Sequence, residues 1–105
     1  MSQSKGPLEL LTNDPIELSL ITLKSKLITI VKMMIIDQKW TQAQAAQEIG
    51  VSQPRISNLM NGQISKFSID MLLEMLGKLG YLMDVSFNPS DTENPVKVGI
   101  KKTVV

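Results

Sequence analysis

The 105-residue chain contains neither cysteine nor histidine. The first absence excludes disulfides, thiolate metal sites and cysteine nucleophiles together. The second removes the commonest general base and the commonest metal ligand. No apolar run approaches membrane-spanning length, and the opening MSQSKGPLELL lacks the uninterrupted apolar stretch of a signal peptide, so a soluble, cytoplasmic protein without membrane contact is expected. Asp37, Glu48, Asp70, Glu74 and Asp84 fall into no spacing that implies a metal site or a catalytic pair. No nucleophile–base pair, metal cluster or phosphate-binding loop is visible, so the expected protein has no catalytic residues, metal or cofactor and is not an enzyme. Arginine is nearly absent as well: Arg55 is the only one.

What is present suits one domain. The length is too short for two ordinary domains, and a hydrophobic content of 43% is typical of a globular chain. The net charge of +1 excludes a globally basic nucleic-acid coat. Its distribution is more informative. From Val51 to Ser68 the only charged residues are Arg55 and Lys66, and a local lack of acids is what a surface facing phosphates requires.

Residues 1–13 read as a flexible N-terminal segment. A first helix is expected to start at Asp14-Pro15-Ile16-Glu17: Asp caps, Pro suits the first position, and Glu17 can close a capping box. Ile16, Leu20, Leu23, Leu27, Ile30, Val31 and Met34 form one face, widened by Ile21, Ile28 and Ile35 to roughly half the circumference. Such a helix has more apolar surface than its own core needs. Trp40 stands at the staple position before a second helix capped by Thr41, with Gln44 completing the box and Gly50 ending it. Ser52 caps a third helix with Pro54 in its first turn, and Asn61-Gly62 closes it. Ser68 caps a fourth, with Ile69, Leu72, Leu73, Leu76 and Leu79 on one face, before Gly80 stops it. Met34, Met71 and Met75 fall on or beside apolar faces and read as core.

At Tyr81 the period changes from helical to alternating: Tyr81, Met83, Val85 and Phe87 point one way, Leu82, Asp84 and Ser86 the other. One strand cannot satisfy its own backbone. The favoured partner is the same strand of a second chain, which makes Tyr81, Met83, Val85 and Phe87 the expected dimer interface. The alternative is Val96 to Ile100, folded back across the Asn88-Pro89 to Pro95 loop. Residues 88–105 otherwise read as a flexible tail, leaving 14–87 as the folded domain.

Thr41 to Gly62, TQAQAAQEIGVSQPRISNLMNG, meets the positional demands of a helix-turn-helix. Ala46 allows close crossing, Gly50 makes the turn, and Ile56 and Leu59 face inward, with Ala43, Ala45 and Ile49 adding small or apolar surface. The segment resembles the helix-turn-helix of lambda-repressor and Cro-type (XRE class) regulators. Trp40 to Phe87, with SQPRISNLMNGQISKFSIDMLLEMLGKLG at its heart, is similar to HigA-type antitoxins. The resemblance implies a mainly all-α fold, a compact four- to five-helix lambda-repressor-like domain with one C-terminal β-strand pairing across a dimer.

The resemblance also implies a reading head. Gln53, Pro54, Arg55, Ser57 and Asn58 become the base-contacting candidates, Arg55 first, because its guanidinium can bond guanine O6 and N7 together. Gln53 can pair with adenine or brace Arg55, and Pro54 supplies shape and apolar contact. Lys39, Gln42, Ser52, Gln63, Ser65 and Lys66 are the phosphate-contacting candidates. The implied protein is a homodimeric repressor on an inverted-repeat operator in double-stranded DNA. As an antitoxin it would also neutralise a small RNA-cleaving toxin, through residues 1–20 or, as the rival, 88–105. Two alternatives stand beside it: a free-standing phage- or plasmid-type repressor, and an adaptor whose helix-turn-helix packs on protein.

Overall fold

The computed structural model describes residues 12–103. Four helices, α1 (Pro15–Asp37), α2 (Gln42–Ile49), α3 (Gln53–Met60) and α4 (Ile69–Lys78), are followed by strands β1 (Tyr81–Phe87) and β2 (Val96–Lys102). A single 3-10 turn, Ile64–Lys66, links α3 to α4. The fold is thus mainly helical, with a small antiparallel sheet at its C-terminal end. Among the described residues no helix is long and apolar enough to cross a membrane.

Local chemistry sets the helix boundaries. At α2 the Thr41 hydroxyl accepts from the Gln44 N–H at 3.1 Å and the Gln44 side chain accepts from the Thr41 N–H at 2.8 Å, a complete capping box. Gly50 then takes a left-handed φ of 79°, which a side chain would strain, and turns the chain toward α3. Ser52 and Ser68 cap α3 and α4 by accepting from the N–H groups of Arg55 and Met71. The start of α1 differs from expectation. Asp14 caps it through the Ile16 N–H, but Glu17 does not close a box on Asp14. Its carboxylate accepts instead from the Thr12 hydroxyl, and the Thr12 oxygen accepts from the Asp14 N–H, so the threonine relays the link.

An eight-residue helix is not stable alone, so the Thr41 cap contributes to holding α2. Thr41→Ala is expected to cost about 1 kcal/mol and to lower the melting temperature by roughly 4–8 °C in a domain of this size. Thermal unfolding followed by circular dichroism checks it.

The core gathers around the middle and C-terminal half of α1. Leu27, Ile28, Val31 and Ile35 meet Ala45, Ala46 and Ile49 of α2, Ile56 and Leu59 of α3, Phe67, and Leu72, Met75 and Leu76 of α4. Trp40 packs half-buried against this cluster, as its staple position predicts. Met75 is buried among them, as its place beside the apolar face of α4 predicts.

β1 does not wait for a second chain: β2 pairs with it antiparallel, Tyr81 opposite Lys102 through Phe87 opposite Val96. The expectation of a lone strand is therefore corrected, and the fold-back of Val96 to Ile100 is the arrangement present. The tail read as loose is ordered from its connection onward. Asn88 donates to the Pro95 carbonyl at 2.7 Å, the Asn88 and Asp91 side chains accept from Ser90 and Asn94, and Lys97 reaches Asp91 at 3.6 Å. At the far end the Thr103 N–H and hydroxyl both donate to the Gly80 carbonyl, clipping β2 to the end of α4. Residues 1–11 and 104–105, which carry most of the expected flexible N-terminal segment and the chain end, lie outside the described residues.

Candidate nucleic-acid interface

Burial fixes how α3 is rotated. Ile56 and Leu59 are fully buried, and 3.6 residues per turn then sets every other side chain. Pro54 and Asn58 fall on the side away from the core. Gln53 and Ser57 lie on the flank toward the start of α2, and Arg55 lies on the opposite flank. Ala45 and Ala46, both buried, keep α2 thin where α3 crosses it. That close crossing puts the two helix starts beside each other.

The consequence is a shallow surface hollow lined by Gln42, Gln53, Pro54 and Ser57. Four of the residues singled out from the sequence are thus brought together from two helices. All four side chains are polar or small, none is acidic, and Gln42, Gln53 and Pro54 are exposed. The caps consume one N–H of each helix start, at Gln44 and Arg55. The first-turn N–H groups of Gln42, Ala43 and Gln53 have no intrahelical acceptor, which makes this edge locally electropositive. Side-chain amides, a hydroxyl and free backbone donors on one edge can bond base edges and phosphate oxygens.

Arg55 is not part of this hollow. It is exposed, but it borders a second hollow with Ile49, Gly50, Val51, Met71, Glu74 and Lys78 among its lining. Gln53 and Arg55, two residues apart, project about 160° apart around α3, so Gln53 does not brace Arg55. Among the described residues the ion pairs are Lys97–Asp91 and Lys101–Asp84, and Arg55 is in neither. Its guanidinium is available to a ligand approaching along the α3–α4 side. Glu74 and Lys78 beside it were not singled out as its neighbours. They share its hollow because α4 packs against α1 and the end of α2, and no sequence spacing carries that arrangement.

The remaining candidates surround these two hollows. Asn58 is half-buried on the outward side of α3. Ser52 spends its oxygen as an acceptor for the Arg55 N–H, which leaves its hydroxyl proton to donate. Lys39 is exposed in the α1–α2 turn at a positive φ of 59°. Gln63 precedes the 3-10 turn that holds Ser65 and Lys66, and all three are exposed. Of the expected dimer residues, Tyr81 is half-buried against the core, whereas Met83, Val85 and Phe87 are exposed on one face of the sheet. Their register partners Ile100, Val98 and Val96 extend that face.

This geometry defines a helix-turn-helix. The family described as Helix-turn-helix domain matches residues 13–88, most of the chain, and the protein belongs to it. No match was found among curated proteins.

Proposed function

We propose that this protein is a sequence-specific, double-stranded-DNA-binding transcriptional repressor rather than an enzyme, of the XRE class and acting in the cytoplasm as a homodimer on an inverted repeat. The observation that carries the reading is the acid-free edge where Gln42 from α2 meets Gln53, Pro54 and Ser57 from α3. A helix of eight residues carried on such an edge fits a major groove about 12 Å wide. Gln53 and Ser57 read base edges, with Asn58 one position further round the helix. Arg55, on the α4 side, takes a guanine or the flanking backbone. Lys39, Gln42, Ser52, Gln63, Ser65 and Lys66 hold phosphates. One head covers only a few base pairs, so two heads on adjacent turns supply the length that specificity needs.

The similarity of Trp40 to Phe87 to HigA-type antitoxins supports a finer version. The protein would then neutralise a small RNA-cleaving toxin and repress the operon encoding both.

Selection from random-sequence duplex DNA, followed by titration at two salt concentrations, tests the regulator reading. A palindromic site should emerge, and Arg55→Ala should weaken it about tenfold, the scale of one lost base or phosphate contact. Raising the salt should weaken binding further, because phosphate contacts release counterions. Failure to enrich any site at low salt would sink the proposal. Retention of a protein partner on the same face would then favour an adaptor.

A further inference from the structure

Only part of α1 is used by the core. Val31 and Ile35 face it squarely, while Ile16, Leu20, Leu23, Leu27, Ile30 and Met34 follow one another at spacings of four, three, four, three and four. That is the a/d repeat of a two-helix seam, sustained over the whole length of α1. The seam runs along the edge of the core-facing side. Leu27 is buried and Met34 half-buried, but Ile16 is 73% exposed, Leu20 50%, Leu23 43% and Ile30 38%. The N-terminal half of α1 therefore extends past the core with an unfilled knobs-and-holes stripe.

Charge selects what fills it. With Leu20 and Leu27 at a and Leu23 and Ile30 at d, the positions beside the seam hold Glu17 and Lys24 on one side and Ser19 and Lys26 on the other. Among the described residues neither Glu17 nor Lys24 makes an ion pair. An antiparallel second copy seats Leu20 on the partner's Leu23, both of them open, with Ile16 flanking this pair of layers at each end. That register puts Glu17 opposite the partner's Lys24 twice, once at each end. Sliding the partner by one heptad seats Leu20 on its Ile30, and then Lys24 faces Lys24 and Lys26 faces Lys26. A parallel pair offers Lys24 only a serine. One arrangement of the three gains opposite charges, and like charges oppose the slid one.

We infer that two copies of this protein associate through an antiparallel pairing of α1 with α1, its two-fold axis lying between Leu20 and Leu23. The pairing deepens the homodimer within the regulator reading and rests on that reading for its purpose, but its geometry stands on α1 alone. Val31, at the centre of the core-facing part, lies about 14 Å from the axis at 1.5 Å per residue. The two bodies are then about 28 Å apart along the helices, and their sideways offset adds to this. That approaches the 34–36 Å between successive major grooves on one side of DNA. The overlap of α1 on α1, about 18 Å long, is a small interface, so the free dimer is reversible and DNA engaging both heads tightens it.

Sedimentation velocity on the full chain without DNA, at low salt and over a wide dilution range, tests the pairing. Glu17→Lys and Lys24→Glu should each weaken the dimer about tenfold, since each creates two like-charge contacts. Combining them should restore wild-type association to within twofold. The rescue also controls for the effect of a lysine in the first turn of α1 on the helix dipole, because the double variant keeps the Glu17→Lys change. A double variant no tighter than the singles would overturn the inference. So would a wild type that stays monomeric, or a dimer indifferent to both single changes and lost on Val85→Glu, which would move the interface to the sheet. The two readings fail separately. A monomer that still selects a DNA site sinks the α1 pairing alone, and a dimer that behaves as described but selects no DNA sinks the regulator alone.

Discussion

Truncation of Leu59 to alanine is expected to destabilise the protein by about 3 kcal/mol, within the range found for buried leucines. Leu59 is fully buried and is one of only two such side chains on α3, the other being Ile56. A helix of eight residues has little stability of its own, so its position depends on these two anchors. Emptying one leaves a void among residues already packed at crystalline density, with short elements around it that can close it only in part. Net stabilities of small domains are about 5–15 kcal/mol, so the loss is a large share. Urea unfolding should show a lower midpoint with an unchanged slope. Leu79→Ala, at a half-buried position beside the core, should cost clearly less. A cost for Leu59→Ala below about 1 kcal/mol would mean that α3 is docked by something other than its apolar side.

The helices were legible because their signals are local. Thr41, Ser52 and Ser68 cap where hydroxyl residues before apolar runs predict, and Gly50, Gly62 and Gly80 take positive φ where the helices end or turn. The helix-turn-helix was legible because its small, turning and apolar positions all lie between Thr41 and Gly62. The sheet was half legible. Alternation in Tyr81–Phe87 identified β1, but the choice of partner lay between a second chain and Val96 to Ile100, and strand period does not decide between them. The deciding groups are the hydrogen bonds of Asn88, Asp91 and Thr103, which exist only once the turn has formed.

For the candidate site, the sequence offers residue types but not which of them meet. Gln42 and Gln53 stand at the starts of successive helices and meet because two alanines let α3 approach α2. Arg55, the most conspicuous residue in the sequence, is turned to the α4 side by the demand that Ile56 and Leu59 be buried. Residue type marks what a side chain can bond; rotation about the helix axis marks what it can reach. Rotation is set by the core. The same logic separates the two sides of α1, where Val31 and Ile35 belong to the domain and Ile16, Leu20 and Leu23 remain open.

Placing a carboxylate on the reading edge should abolish DNA binding without touching the fold. Ser57 lies on the α2-facing flank of α3, beside Gln42, Gln53 and Pro54, and no acid occurs between Val51 and Ser68. Glutamate is a good helix former, so Ser57→Glu should keep the melting temperature within about 1–2 °C of wild type. In a groove the new charge faces phosphates, and juxtaposed like charges cost several kcal/mol. Affinity for the selected duplex should fall on the order of a hundredfold to a thousandfold, at about 1.4 kcal/mol per tenfold. That exceeds the effect of Arg55→Ala because it adds a repulsion to a lost contact. Anisotropy titrations of the selected and of random duplex should both weaken, since repulsion by phosphates is blind to sequence. A carboxylate can also accept from cytosine N4, so repeating the selection with the variant distinguishes lost binding from altered preference. Ser86→Glu, on the polar side of β1, should leave affinity unchanged and serves as the charge control. Wild-type binding by Ser57→Glu would mean that the α2–α3 edge never enters DNA, and the regulator reading would fall with it.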